Sequence, residues 1–308
     1  MIKRTLYFGN PTYLKTKAEQ LVVTLPAQGS PLSDETRSIT IPIEDIGIVI
    51  LDHQQITITQ ALIGKLLANN VAFITCDNSH HPTGLMLNLD GHTSQSARFK
   101  SQLEASVPLK KQLWQHTIKA KIDNQAALLK FLKKETENMK YWSDSVTSGD
   151  SQNHEGRAAA YYWKTIFTEI PEFTRDREGL YPNNLLNYGY AVLRAATARA
   201  LVGSGLLPTL GIHHRNQYNA YCLADDLMEP YRPFVDLLVL EIMANNTNPE
   251  PEKLTTQNKQ DLLAFATSDV LIEGRKSPLM VALSRTSASL VKCFEGDMRK
   301  IIYPEWLV

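Results

Sequence analysis

No stretch of this 308-residue chain is apolar for the roughly 20 residues that a membrane-spanning helix requires. The longest apolar runs, 46–51 and 71–75, are the size of strands. Cysteine is scarce. The three present, Cys76, Cys222 and Cys293, are far apart and form no CxxC pair. That excludes a disulfide scaffold and argues against a zinc knuckle. Net charge is absent too, with 32 basic residues against 32 acidic. Bulk charge therefore gives no support for a nucleic-acid partner. The first residues, Lys3 and Arg4 followed by alternating Thr-Leu-Tyr-Phe, do not read as a signal peptide. The expectation is a cytoplasmic enzyme with no membrane partner.

What is present falls into two textures, and the expected fold class is α+β. Residues 1–90 carry short β-type runs at 5–8, 20–25, 38–41, 47–51, 54–58, 71–75 and 85–87, separated by turn signals. One amphipathic helix interrupts them at 59–69. Leu62, Ile63, Leu66 and Leu67 form its apolar face, Thr59 can cap it, and Asn69 and Asn70 end it. The polar stretch 26–35 reads as a loop. Residues 91–308 turn helical, with helices expected over 94–105, 109–137, 153–167, 184–202, 223–244, 255–267 and 278–294. Segments 143–150 and 245–252 read as polar loops. Asn183 or Asn184 can cap the fourth helix, and Gly203 and Gly205 close it. The reading is a small β-rich domain followed by a larger all-helical one.

Two segments carry the chemistry. In the first, His213 and His214 end a glycine-containing stretch, and Asp225, Asp226 and Glu229 follow on one helix. Spacings of three and four residues put two carboxylates on one face, where they repel unless a cation joins them. Pro230 and Pro233 cannot donate to the carbonyls of Asp226 and Glu229. The helix is therefore expected to kink or unwind around 228–233. In the second segment, Asn153 or Ser151 can cap a helix that starts near His154, with Glu155 in its first turn. Carboxylates with one imidazole form an oxygen-rich set suited to Mg²⁺ or Mn²⁺. Set against this is the plain reading of a satisfied histidine and a charged helix face.

At these residues the sequence resembles a family, the CRISPR-associated integrase that is the larger of the two proteins common to spacer acquisition. The matching segments are NHEGRAAAYYW at 153–163, LGIHH at 210–214 and LADDLMEPYRPFVD at 223–236. KRTLYFGNPTYL at 3–14, IPIEDIGIVILDHQQITI at 41–58 and LANNVAFITCD at 67–77 are similar to the form found beside type II effector nucleases. The resemblance implies a dimerising β-rich N-terminal domain and a helical catalytic domain. It implies Glu155, His214 and Glu229 as catalytic metal ligands, with Asp226 in support. The implied reaction inserts a short DNA duplex into a CRISPR repeat by 3′-hydroxyl attack on a phosphodiester. The implied partners are DNA, a second copy of the chain, a small ferredoxin-like adaptation protein and the type II effector nuclease. Many relatives have Gly-Phe-Leu-His where this chain has Gly-Ile-His-His, so the ligand is assigned to His214 with His213 left as the alternative.

Other residues receive weaker assignments. Arg157 and Arg215 flank the expected ligands and are phosphate candidates. Arg98 to Lys140 is locally basic, with ten Lys or Arg against Glu104, Asp123, Glu135 and Glu137. It reads as a solvated helical face that gains weight as a DNA-contacting surface, with Lys133 and Lys134 as the test positions. Arg232 is expected in an internal ion pair with Glu229 or Asp236. Asp225 is expected to face solvent. His80 and His81 are expected on the surface without acidic partners. Met228, Trp114 and Trp142 are expected in the core.

Overall fold

The computed structural model describes residues 3–25, 38–177, 179–245 and 253–307. The expected loop over 26–35 lies outside the described residues, as does 246–252 of the loop expected near 245. The chain is a mixed α+β protein. It divides into two compact units, Met1–Gly91 and His92–Val308.

The first unit holds β1 (Arg4–Phe8), β2 (Tyr13–Lys17), β3 (Gln20–Thr24), β4 (Ser38–Pro42), β5 (Ile46–Leu51), β6 (Thr57–Ile58), α1 (Gln60–Ala68), β7 (Ala72–Cys76) and β8 (Pro82–Met86). They form two four-stranded sheets, ordered β1-β5-β7-β8 and β4-β3-β2-β6. In the first sheet β5 runs parallel to both β1 and β7, so it is central and buried almost throughout. That position explains its unbroken IGIVIL run, since a strand covered on both faces has no solvent side for polar residues. Leu14, Leu21, Val23, Ile46, Val49, Leu62 and Phe73 belong to one apolar cluster that joins both sheets to α1. Strand β2 is not legible in the sequence because Tyr13–Lys17 carries two lysines and buries only Leu14.

The second unit holds α2 (Gln95–Glu104), α3 (Val107–Phe131), α4 (Glu137–Ser145), α5 (His154–Ile166), α6 (Asn183–Gly203), α7 (Cys222–Met228), α8 (Arg232–Asn245), α9 (Thr256–Leu263), β9 (Asp269–Ile272), β10 (Arg275–Pro278) and α10 (Leu279–Glu295). Among its described residues the unit is helical except for the β9–β10 hairpin and one bridge from Leu271 to Glu305, which the expected all-helical domain lacks. Glu273 and Gly274 both take positive φ at its turn, 52° and 69°. This is the backbone that favours glycine in tight hairpins. The helix expected over 109–137 ends at Phe131, where Lys133 at φ 59° breaks the path, and an unexpected α4 starts at Glu137 and takes up the first residues of the loop expected over 143–150. The α6 cap position is Pro182, not Asn183 or Asn184. The Asn183 side chain instead ties down Thr174, Arg175 and Asp176. No helix among the described residues is long and apolar enough to cross a membrane.

Helix α3 is the scaffold on which the segments carrying Glu155 and Glu229 assemble. Ser106 caps it by accepting from Leu109 N, and its buried positions recur at helical spacing through Trp114, Thr117, Ile118, Lys121, Asn124, Gln125 and Leu128. That face packs on α5 and on the turn between α7 and α8.

Candidate active site

The expected break in the fifth helix is present. Helix α7 ends at Met228, a 3₁₀ turn spans Glu229–Tyr231, and α8 starts at Arg232. The tighter winding meets the need created by the two prolines, because the Arg232 amide donates to the Glu229 carbonyl three residues back. The Pro230 carbonyl accepts from the Asn124 side-chain amide at 2.8 Å, which fastens the turn to α3. Glu229 is thereby held on a rigid, buried turn with its side chain only 7% exposed.

Glu155 is positioned by a different device. Asn153 sits in the left-handed region, φ 53°, and its side chain accepts from Gly156 N at 3.1 Å. The two carboxylate oxygens of Asp150 accept from the amides of His154 and Glu155, each at 2.9 Å. The first-turn donors of α5 are thus satisfied by Asp150 and Asn153, and the Glu155 side chain remains available.

The two carboxylates meet at one point. Lys121 Nζ stands 2.6 Å from Glu155 Oε1 and 2.7 Å from Glu229 Oε2, with its side chain 11% exposed. Arg232 Nη2 covers the other Glu229 oxygen at 2.8 Å, and not Asp236. Burial would raise the Glu229 carboxyl. Arg232 and Lys121 outweigh burial and hold it at about 2. Burial likewise opposes the Lys121 charge, but Glu229 and Glu155 raise its pKa above the ordinary lysine value. Sequence reasoning places Lys121 only on a solvated basic face. Its signal was available: it is the one lysine that falls in the apolar stripe of α3.

The two histidines separate cleanly. His213 lies flat on the buried indole of Trp114, with ring centroids 4.1 Å apart and planes 3° from parallel. Burial lowers its pKa. His214 turns its edge to the same indole and donates from Nδ1 to Asp226 Oδ1 at 2.5 Å. That hydrogen bond to Asp226 raises its pKa. Asp226 also accepts from the backbone amides of His213 and His214, at 2.8 and 3.2 Å. One fully buried carboxylate therefore fixes both histidines of the Gly-Ile-His-His loop. Gly211 is required there, because a Cβ would stand 2.4 Å from the His214 carbonyl oxygen and 2.8 Å from Asp226 Oδ2. With Nδ1 engaged by a carboxylate, Nε2 is the nitrogen left for a ligand.

Among the described residues no three His, Cys, Asp or Glu groups stand close enough together to hold a metal ion as they are. The donor chemistry nevertheless fits a cation. Two carboxylates from separate elements already converge on one positive charge, the Lys121 ammonium. Glu229 Oε2 is buried and accepts no aligned hydrogen bond among the described residues.

Beside Glu229 and His214 opens a cleft of about 620 Å³, lined among others by Arg175, Arg177, Arg194 and Arg232. Of these, sequence reasoning weighs only Arg232, and as an internal ion pair. Asp225, expected to face solvent, is buried. It takes a two-point contact from Arg194 at 2.6 and 3.2 Å and a third hydrogen bond from Asn219 at 2.7 Å. Arg157, Arg215, Lys133 and Lys134 are all exposed. His80 is exposed as expected but has an acidic partner, the buried Asp52, at 2.8 Å. Asp52 is distant in sequence, so spacing could not show it. Trp114 and Met228 are buried, whereas Trp142 is only half-buried.

A β-sheet unit preceding a helical unit, with carboxylates from two helical elements gathered beside an arginine-lined cleft, defines a mixed α+β protein with a polar, charge-lined site. The chain belongs to the Cas1 family: the signature described as "CRISPR associated protein Cas1" matches residues 6–273. It is 35% identical over 295 residues to the CRISPR-associated endonuclease Cas1 of Neisseria meningitidis, spanning 94% of this chain and 91% of that protein. Its fold is similar to that of a casposase bound to integration product, with a TM-score of 0.78, 20% identity, and coverage of 98% and 92% of the two chains. It is also similar to part of a Cas6-RT-Cas1–Cas2 complex, with a TM-score of 0.73 and 19% identity over 97% of this chain and 35% of that longer one.

Proposed function

We propose that this chain is a divalent-metal-dependent DNA integrase and endonuclease that inserts short foreign DNA segments as spacers into a CRISPR array. The observation that carries the proposal is the convergence of Glu155 and Glu229 on one cationic point beside His214. On this reading Glu155, Glu229 and His214 Nε2 hold Mg²⁺ or Mn²⁺. Asp226 is a positioning residue that presents the imidazole. The metal, when bound, supplies charge to phosphodiester oxygens and to the attacking hydroxyl. The arginines of the cleft hold the DNA phosphates, since a guanidinium fork matches phosphate oxygens. Arg157 and Arg215 extend that surface. In the reaction the 3′-hydroxyl oxygen of the incoming strand forms a bond to a target phosphorus. The target's P–O3′ bond breaks, and the new 3′-hydroxyl leaves with the proton.

The name of the Neisseria relative supports the nuclease half of this reading, and the casposase's integration product supports the joining half. The Cas1–Cas2 assembly supports a small adaptation protein, taken here as ferredoxin-like, as a partner. A homodimer formed through the β-rich unit, contact with a type II effector nuclease and a cytoplasmic location complete the proposal.

The test is joining of a 3′-hydroxyl duplex to a supercoiled repeat-bearing plasmid. Glu155→Gln, His214→Ala and Glu229→Gln should each cut joining by roughly 100-fold or more, the scale on which loss of a transition-state charge partner acts. His213→Ala should retain it. A donor with a blocked 3′ end should abolish joining and spare cleavage. Full joining by the three variants would refute the site.

A further inference from the structure

Lys121 is the least expected charge in this molecule. It rises from the apolar stripe of α3, where burial opposes a charged amine. It is 11% exposed and contacts only acidic groups among the ion pairs of the described residues, Glu155 at 2.6 Å and Glu229 at 2.7 Å. Neither partner lies on its own helix. The ammonium therefore spans α5 and the Glu229–Tyr231 turn from a third element. With Arg232 on Glu229, the group is balanced: two carboxylates, one ammonium and one guanidinium.

This balance bears on a divalent ion, on the reading that Glu155 and Glu229 are metal ligands. A metal entering between those carboxylates would meet the ammonium already seated there. At such separations two like charges repel strongly in a buried site. The ion and the ammonium cannot share the two inner oxygens. Without the lysine, the partly exposed Glu155 would lose its ion-pair partner and face Glu229, which would keep only Arg232 of its two ion-pair partners, a like-charge approach that raises carboxyl pKa values or forces the groups apart.

We infer that Lys121 is a resident counter-cation. It holds Glu155 and Glu229 in ligand position while no metal is bound, and a divalent ion binds only by displacing it. Its four-carbon stem allows the displacement, since the ammonium can swing while α3 stays fixed. Lys121 is thus a positioning residue that weakens metal binding in exchange for keeping the two carboxylates together without a metal.

The test compares full-length wild type with Lys121→Met and Lys121→Gln. Mn²⁺ binding is read from the electron paramagnetic resonance signal of free Mn²⁺, and thermal unfolding is followed with chelator and with Mn²⁺. Both variants should melt below wild type in chelator. Both should bind Mn²⁺ about tenfold more tightly, a difference readily resolved as a shift in Kd. Both should gain more in Tm from saturating Mn²⁺ than wild type does. Lys121→Gln keeps a neutral donor between the carboxylates and carries the test if Lys121→Met does not fold. Mn²⁺ affinity equal to or weaker than wild type overturns the inference while leaving the metal site standing. No Mn²⁺ binding by any of the three proteins removes the metal site itself, and the inference with it.

Discussion

Asp236 shows how a single carboxyl can be costly and retained. It is buried, and it accepts from Tyr162 Oη at 2.6 Å and from Tyr190 Oη. These hydrogen bonds tie α5 and α6 to α8. Burial pushes its pKa up from the ordinary 3.8 to about 6, beyond what the tyrosines and the nearby arginines recover. The folded state therefore holds this proton more tightly than the unfolded state, so the contribution is most favourable below about pH 4. It is lost as pH rises through 6. Wild type should lose up to about 3 kcal/mol of stability from this group between pH 4 and 7. Asp236→Asn should remove that slope. Urea unfolding at intervals across this range, for both proteins, checks it; parallel profiles would contradict the assignment.

At the scale of elements, the sequence carried information where the rule was local. Pro230 and Pro233 announced a broken helix because each lacks a donor, and the 3₁₀ turn lies where they demand it. Asn153 announced the start of α5. Contacts between distant segments were not legible. Lys121 reaching across to Glu155 and Glu229 depends on packing that no spacing encodes. The β9–β10 hairpin was lost because its strands are four residues each and polar at the turn.

The Asn153 cap is open to a paired test. Asn153→Ala should cost about 1–2 kcal/mol of unfolding free energy, combining the lost cap with an alanine forced into the left-handed region. Asn153→Gly tolerates that backbone and should cost less, as equilibrium unfolding would show. Equal losses would mean that the positive φ adds nothing.

On the scale of the whole molecule, the neutral net charge conceals a strongly patterned one. The arginines gather at the cleft, while Lys133 and Lys134 stand exposed past the end of α3. If this end tracks a DNA backbone, Lys133→Gln with Lys134→Gln should reduce the slope of log affinity against log salt by about 2. The measurement is DNA binding by anisotropy at several salt concentrations, and an unchanged slope excludes these lysines from the contact surface. The fold class and the resemblance were readable across nearly the full length of the sequence. The cleft was not, because Arg175, Arg177 and Arg194 belong to no motif and are brought beside Glu229 by the packing around α6.

The crowding around Gly211 bears on how this protein can drift over evolutionary time. Gly211 has no side chain and performs no chemistry, yet it lies against the His214 carbonyl and the Asp226 carboxylate. A side chain at 211 is therefore barred by the main chain of His214 as well as by the carboxylate of Asp226, so a screen that scored nothing but folding would mark this inert glycine as strictly as a position in the middle of the core.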